Sequence, residues 1–248
     1  MLKKILSIAL CIAITFTLFA CGGQQTIQSS ENLSSSDGGT KTSNTSKTVS
    51  LKAQIQNCKA VIDYSEDVLI DQMDTVTFGT DEKGNPIEWL VLEKNNNKVL
   101  LLTKYLYSGE QYNKKSTNIS WEDSDIRKFL NQEFIDKNFD ENEKESIIIT
   151  DVVNNDNAEY GTKGGNNTKD KVFLLSLNEV KKYLRNESLR NADTRYQDID
   201  IDPTWWLRSP GETLRRASYV HGNGGSIVER GDDVICGYYI RPAMWVKY

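Results

Sequence analysis

Residues 87–105 read I-E-W-L-V-L-E-K-N-N-N-K-V-L-L-L-T-K-Y. Ile87–Leu92 and Lys98–Tyr105 are apolar runs of strand length, and the polar Glu93–Asn97 between them reads as a hairpin loop. Upstream, Thr75–Phe78 has the composition of another strand, and Asp81–Pro86 makes a turn through its Gly and Pro. Downstream the period changes. Ile126, Phe129, Leu130 and Phe134 recur at helical spacing, with Ser124 placed to cap the N-terminus. Asp140-x-x-Glu143 and Ser176-x-x-Glu179 have the form of capping boxes opening two short helices, the second with Val180, Tyr183 and Leu184 on one face. Ile147–Val153 reads as a strand. The Gly- and Asn-rich stretch Asn154–Asp170 exceeds ordinary loop length, which points to function or mobility. The last third returns to strands at 205–207, 217–220, 225–228, 233–236 and 240–246. Three strands, then helices and loops, then strands again predict an α+β domain with a mainly antiparallel sheet, short helices and long irregular loops.

The N-terminal fifth is different. After Lys3 and Lys4, an uncharged run from Ile5 to Phe19 leads into Leu18-Phe19-Ala20-Cys21. The run is short for a membrane-spanning helix, which needs about 20 residues, and suits the apolar core of an export signal. Leu18–Cys21 resembles a bacterial lipobox, which implies cleavage after Ala20 and lipidation of Cys21. Two or more acyl chains would hold the protein stably on the membrane. Residues 21–50 are mostly Gly, Ser, Thr, Asn and Gln, too polar to offset their ordering entropy, and read as a disordered tether reaching roughly 30 Å. Residues 51–73 are a lead-in of open secondary structure, either a short helix or a strand, and 74–248 form the domain. The expected location is the extracytoplasmic face of the cell membrane.

The whole chain has 248 residues and a formal charge of −5; losing the two lysines of a 1–20 leader takes it to −7. Such acidity excludes a protein built to coat nucleic acid. Of four cysteines, Cys11 leaves with the leader and Cys21 takes the lipid, so Cys58 and Cys236 remain, as a disulfide or as two separate thiols.

A single histidine, His221, excludes a multi-histidine zinc site and reads chiefly as a loop residue before a glycine-rich turn. Asp198, Asp200 and Asp202 alternate, so an extended chain puts all three on one face, where a calcium ion would relieve their repulsion. The EF-hand glycine is missing, and a solvated acidic loop fits the same residues better. No other cofactor is implied. The aromatic last third supplies candidate ligand contacts in Trp205, Trp206, Tyr219 and Tyr238, with Arg208 and His221 beside them. Adjacent strand positions put Trp205 and Trp206 on opposite faces, one buried and its neighbour partly exposed. Arg208 and Arg241 fit loop carbonyls or acids better than a ligand.

The blocks I-E-W-L-V-L (87–92), L-L-L-T-K-Y (100–105), W-E-D-S-D-I-R-K-F-L-N (121–131), V-F-L-L-S (172–176), W-W-L-R-S-P-G (205–211), A-S-Y-V (217–220) and R-P-A (241–243) together resemble an uncharacterised family of bacterial surface domains, domain of unknown function 6273, across about Asp74–Tyr248. That family resembles the C-type-lectin-like fold, in which paired strands carry irregular loops and the termini meet. The fold would give Cys58 and Cys236 a chance to approach. It is shared with formylglycine-generating enzymes, whose chemistry needs two neighbouring C-terminal cysteines where this chain offers only Cys236. The resemblance therefore implies a non-enzymatic binding module for a glycan, a cell-wall component or a protein. An exported hydrolase with paired carboxylates, or a structural surface protein, are the alternatives.

Overall fold

A computed structural model describes residues 49–195 and 202–248. The expectations for the leader, for Cys21 and for the tether up to residue 48 lie outside the described residues, as do Asp198 and Asp200. Among the described residues no helix is long and apolar enough to cross a membrane.

The fold is α+β. Strands β1 (Thr75–Thr80), β2 (Pro86–Asn95) and β3 (Lys98–Thr103) form an antiparallel meander. Trp89–Leu92 and Val99–Leu102 are all essentially inaccessible, which explains why these runs are continuously apolar: both faces of the meander are covered. The Trp89 indole N–H donates to Phe78 O at 2.7 Å, so burial leaves no unpaired donor. The loop expected at Glu93–Asn97 is tighter than that. Pairing continues to Asn95↔Lys98, and Asn96 closes the turn at φ 53°, a left-handed conformation that asparagine tolerates.

The lead-in resolves as a helix, α1 (Leu51–Asn57), capped by Ser50 and packed on β1. The short strand β4 (Gly109–Gln111) follows the meander. Ser124 caps α2 (Asp125–Asn131), as its sequence position suggested. The helix expected to run through Phe134 is nonetheless broken at Gln132, and α3 (Glu133–Asn138) carries Phe134 separately. The cause is Asn131: its amide donates to Val172 O at 2.9 Å and accepts from Lys171 N at 2.8 Å, tying the end of α2 to a distant bend at 171–172. Both capping boxes form, at α4 (Glu141–Ser146) and, beyond strands β5 (Thr150–Val152) and β6 (Thr168–Asp170), at α5 (Leu177–Tyr183). The expected strand 147–153 is therefore shortened to β5, which pairs with β6, while Ile147 makes one isolated bridge to Val246. The loop between β5 and β6 is pinned. Buried Asn157 donates to Pro210 O and Glu229 O at 2.8 and 2.9 Å. A single turn, α6 (Glu187–Arg190), follows α5.

Strands β7 (Trp205–Pro210), β8 (Arg216–Val220), β9 (Ile227–Asp233) and β10 (Gly237–Tyr239) build a second sheet with β4, in the order β4-β10-β7-β8-β9. All its pairings are antiparallel except β10 with β7. The expected strand 233–236 is instead a turn, because β9 runs on to Asp233. Gly231 at φ 73° lets β9 pass Ala217 O, which an added Cβ would approach to 2.4 Å. The last strand, β11 (Ala243–Lys247), starts later than expected, since Pro242 cannot donate to a ladder. It pairs with β3 and completes the first sheet, β1-β2-β3-β11.

Candidate functional site

The residues singled out in the last third are brought together, but mostly sealed. Trp205 and Trp206 do point to opposite sides of β7, yet both are fully buried because both faces of the second sheet are covered. The exposed neighbour expected from alternation is thus absent. Trp205 donates to Arg190 O at 3.0 Å and lies 5.3 Å from the Arg241 guanidinium. Trp206 donates to Glu110 O at 2.9 Å and packs against Tyr238, Tyr112 and Tyr219 at ring distances of 4.6, 5.8 and 6.3 Å. Arg208 is buried as well. It donates to Leu174 O at 2.7 Å and Val153 O at 3.0 Å and pairs with Glu179, so it clamps the sheet to the capping box of α5. Tyr219 and Tyr238 are half-buried and cover Trp206; the Tyr238 hydroxyl donates to Asp232 at 2.7 Å. Burial, and then that aspartate, push the Tyr238 phenol well above its usual range.

His221 ends β8. Its Nε2 lies 3.6 Å from Asp202 and its Nδ1 accepts from Asn223 N at 3.2 Å. Asp202 thus faces a histidine, and among the described residues no group of three or more His, Cys, Asp or Glu is arranged to hold a metal. Cys58 and Cys236 are both free thiols, so the bridge considered from the sequence is not formed. Cys58 is buried at the end of α1 against the first sheet, where desolvation and then Asp74 push its thiol up to about 11. Cys236 lies in the β9–β10 turn of the second sheet, where burial and then Asp232 and Asp233 also raise it.

The open site lies elsewhere, where the chain crosses from the first sheet to the second. Residues 104–109 leave β3, bridge to Thr194 through Leu106, and enter β4. Tyr107 anchors this crossing, its N–H donating to Ile240 O at 3.0 Å and its hydroxyl to Asn138 at 2.7 Å. Beside it is a cleft of about 320 Å³ with rings of Tyr105, Tyr107, Phe129 and Tyr239 in its lining. Four acids line it too, and three are matched to cations. Asp81 and Glu88 lie 3.9 and 3.8 Å from Arg195, Glu88 is 3.7 Å from Lys104, and Glu82 is 3.2 Å from Lys137. The fourth, Glu110, accepts from Ser108 Oγ at 3.1 Å and has no cation within 4.0 Å among the described residues. Burial raises its carboxyl above the usual range; Ser108 opposes this, Glu133 adds to it, and Lys137 and Lys114 reduce it. Thr103, in the lining, and Arg241, which donates to Thr103 O, each bury one polar atom without a hydrogen-bond partner, Oγ1 and Nη2. Burial alone pushes Arg241 down to about 9.

Sequence reasoning missed this cleft because its walls come from the β1–β2 turn, β2, the end of β3, the 104–109 crossing, β4, α2, α3, the stretch before residue 196 and β10. The one local cue was Tyr105-Leu106-Tyr107-Ser108-Gly109, where alternating aromatics run off a strand end into a glycine.

The sequence model of a family described as Domain of unknown function (DUF6273) matches residues 96–248. The match begins in the β2–β3 turn, so it takes in everything from β3 onward and leaves β1, β2 and α1 outside, a narrower span than the resemblance from Asp74. No curated protein matches the chain, and no solved structure does.

Proposed function

The chain belongs to the DUF6273 family, and on that footing we propose that it is a non-enzymatic binding domain whose ligand, a glycan or cell-wall fragment, sits in the cleft between the two sheets. The observation that carries this is the cleft itself. It is of small-ligand size, it offers aromatic faces for stacking against sugar rings, and its charged walls are held in place by their own ion pairs before any ligand arrives. A C-type-lectin-like architecture is supported by the pairing of β3 with β11, since these are the first and last strands of the family-matched region and run antiparallel from Leu102↔Ala243 to Lys98↔Lys247. Display on a lipid-anchored tether at the outer face of the membrane follows from Leu18–Cys21 and the polar residues after it. A glycan array probed with the full chain tests the binding role. Tyr105→Ala should remove binding at least about tenfold without lowering the melting temperature, and blank arrays together with blank pull-downs would defeat it. Loss of acyl-chain incorporation in Cys21→Ala tests the anchor.

One observation favours a second reading, an exported hydrolase acting on wall polymers: Glu110, with its raised pKa, shares the cleft with Asp81 and Glu88. Both of those engage Arg195, which suits recognition better than base catalysis. Release of soluble fragments from purified wall, abolished by Glu110→Gln, would establish the hydrolase instead.

A further inference from the structure

We propose that the cleft selects ligands bearing a primary ammonium group, which seats against the Glu110 carboxylate. This rests on the binding reading above and specifies the chemistry of its ligand. Of the four acids that line the cleft, this is the one with no cation within 4.0 Å among the described residues. Asp81, Glu82 and Glu88 each face a cation of the protein, whereas among the described residues the Glu110 carboxylate accepts only from Ser108, which leaves its second oxygen without a partner there. A partly buried carboxylate without a counter-ion is a cost to the free protein, and a cation brought by a ligand removes it.

The position is also fixed. Glu110 lies in β4 opposite Tyr238, and its backbone carbonyl accepts from the buried Trp206 indole, so the side chain is presented from a rigid strand. Around it the cleft supplies rings of Tyr107, Phe129 and Tyr239, whose faces attract a cation while excluding water. The nearest other charge effects are mixed: Glu133 reinforces the negative potential, and Lys137, already engaged with Glu82, weakens it. A hydroxyl could also donate to the open oxygen, but an ammonium adds charge to the hydrogen bond and is favoured over it.

An amino sugar and an alkylamine share this chemistry, and the test separates them. Binding of glucosamine, N-acetylglucosamine, glucose and n-butylamine to the full chain would be measured at neutral pH by ligand-observed NMR. Glucosamine should bind at least about tenfold more tightly than its N-acetylated form, a gap of about 1.4 kcal/mol. Glu110→Gln should erase that preference without lowering the melting temperature. Butylamine matching glucosamine would assign the site to amines in general, and butylamine binding weakly would assign it to amino sugars; either supports an ammonium site. Equal binding of the N-acetylated sugar, a preference surviving Glu110→Gln, or no binding of either amine would overturn it. In the first and third of these cases a positive array whose signal is lost in Tyr105→Ala would leave the broader binding role standing.

Discussion

The surface around Trp206 and the cleft beside it use the same residue types, and they share Glu110 as a common wall: its carbonyl closes one region and its carboxylate opens into the other. Around Trp206 three of the four rings have their polar group paired within the protein. The indole N–H reaches Glu110 O, the Tyr112 hydroxyl reaches Arg208 O at 3.0 Å, and the Tyr238 hydroxyl reaches Asp232. In the cleft the rings stand beside an acid with one partner and an open oxygen. Aromatic density by itself therefore reports surface that must be buried. Hydrogen-bonding and charge capacity left over after folding is the better indicator of a ligand.

The comparison breaks most visibly if Trp206 is not structural. Trp206→Ala should cost about 3–5 kcal/mol, from the cavity it leaves, together with an unpartnered Glu110 carbonyl. Urea denaturation measures it, and a cost under about 1 kcal/mol would mean the face is not sealed. Arg208→Met should cost about 3 kcal/mol in the same assay, because Leu174 O and Val153 O lose their donors and Glu179 its counter-ion. A near-neutral result would show that the clamp contributes nothing and would return Arg208 to the set of ligand candidates.

Much of the fold was legible in the sequence because its cues are local. Ser124, Asp140–Glu143 and Ser176–Glu179 announce helix starts through bonds reaching only three residues. The 87–105 hairpin is announced by two apolar runs around three asparagines. Failures came where a distant group decides. Gln132 breaks a helix because Asn131 is tied to the backbone at Lys171 and Val172, and β9 continues to Asp233 because Gly231 slips past Ala217. Alternation predicts one of Trp205 and Trp206 partly exposed, yet both are buried, because alternation along one strand says nothing of a second covering layer. The cleft was invisible for the same reason: Glu110, Phe129 and Arg195 are 19 to 85 residues apart and meet only when both sheets are in place.

Smaller effects sharpen the contrast at its boundary. Tyr238→Phe removes one hydrogen bond to Asp232 from a half-buried ring and should cost about 1 kcal/mol with no change in ligand binding. A binding defect in that variant at unchanged stability would show that the ligand spreads from the cleft onto the aromatic face.

The smallest effect has the opposite sign. Folding raises the Glu110 pKa, mainly through burial, so the folded protein holds that proton more tightly than the unfolded chain does. The ionised carboxylate therefore costs stability. The cost is absent below the unfolded value of about 4.3, grows as pH rises through the raised folded value, and is complete above it. Gln is neutral throughout and its amide oxygen still accepts from Ser108. Glu110→Gln should consequently melt about 1–2 °C higher than the parent at neutral pH, and the gap should close as pH falls below about 4. Other carboxylates titrate in both proteins and cancel in the difference. A variant that melts lower than the parent at neutral pH would mean that the carboxylate already has a stabilising partner, and the distinction between a closed aromatic face and an open cleft would fail at the one residue that belongs to both.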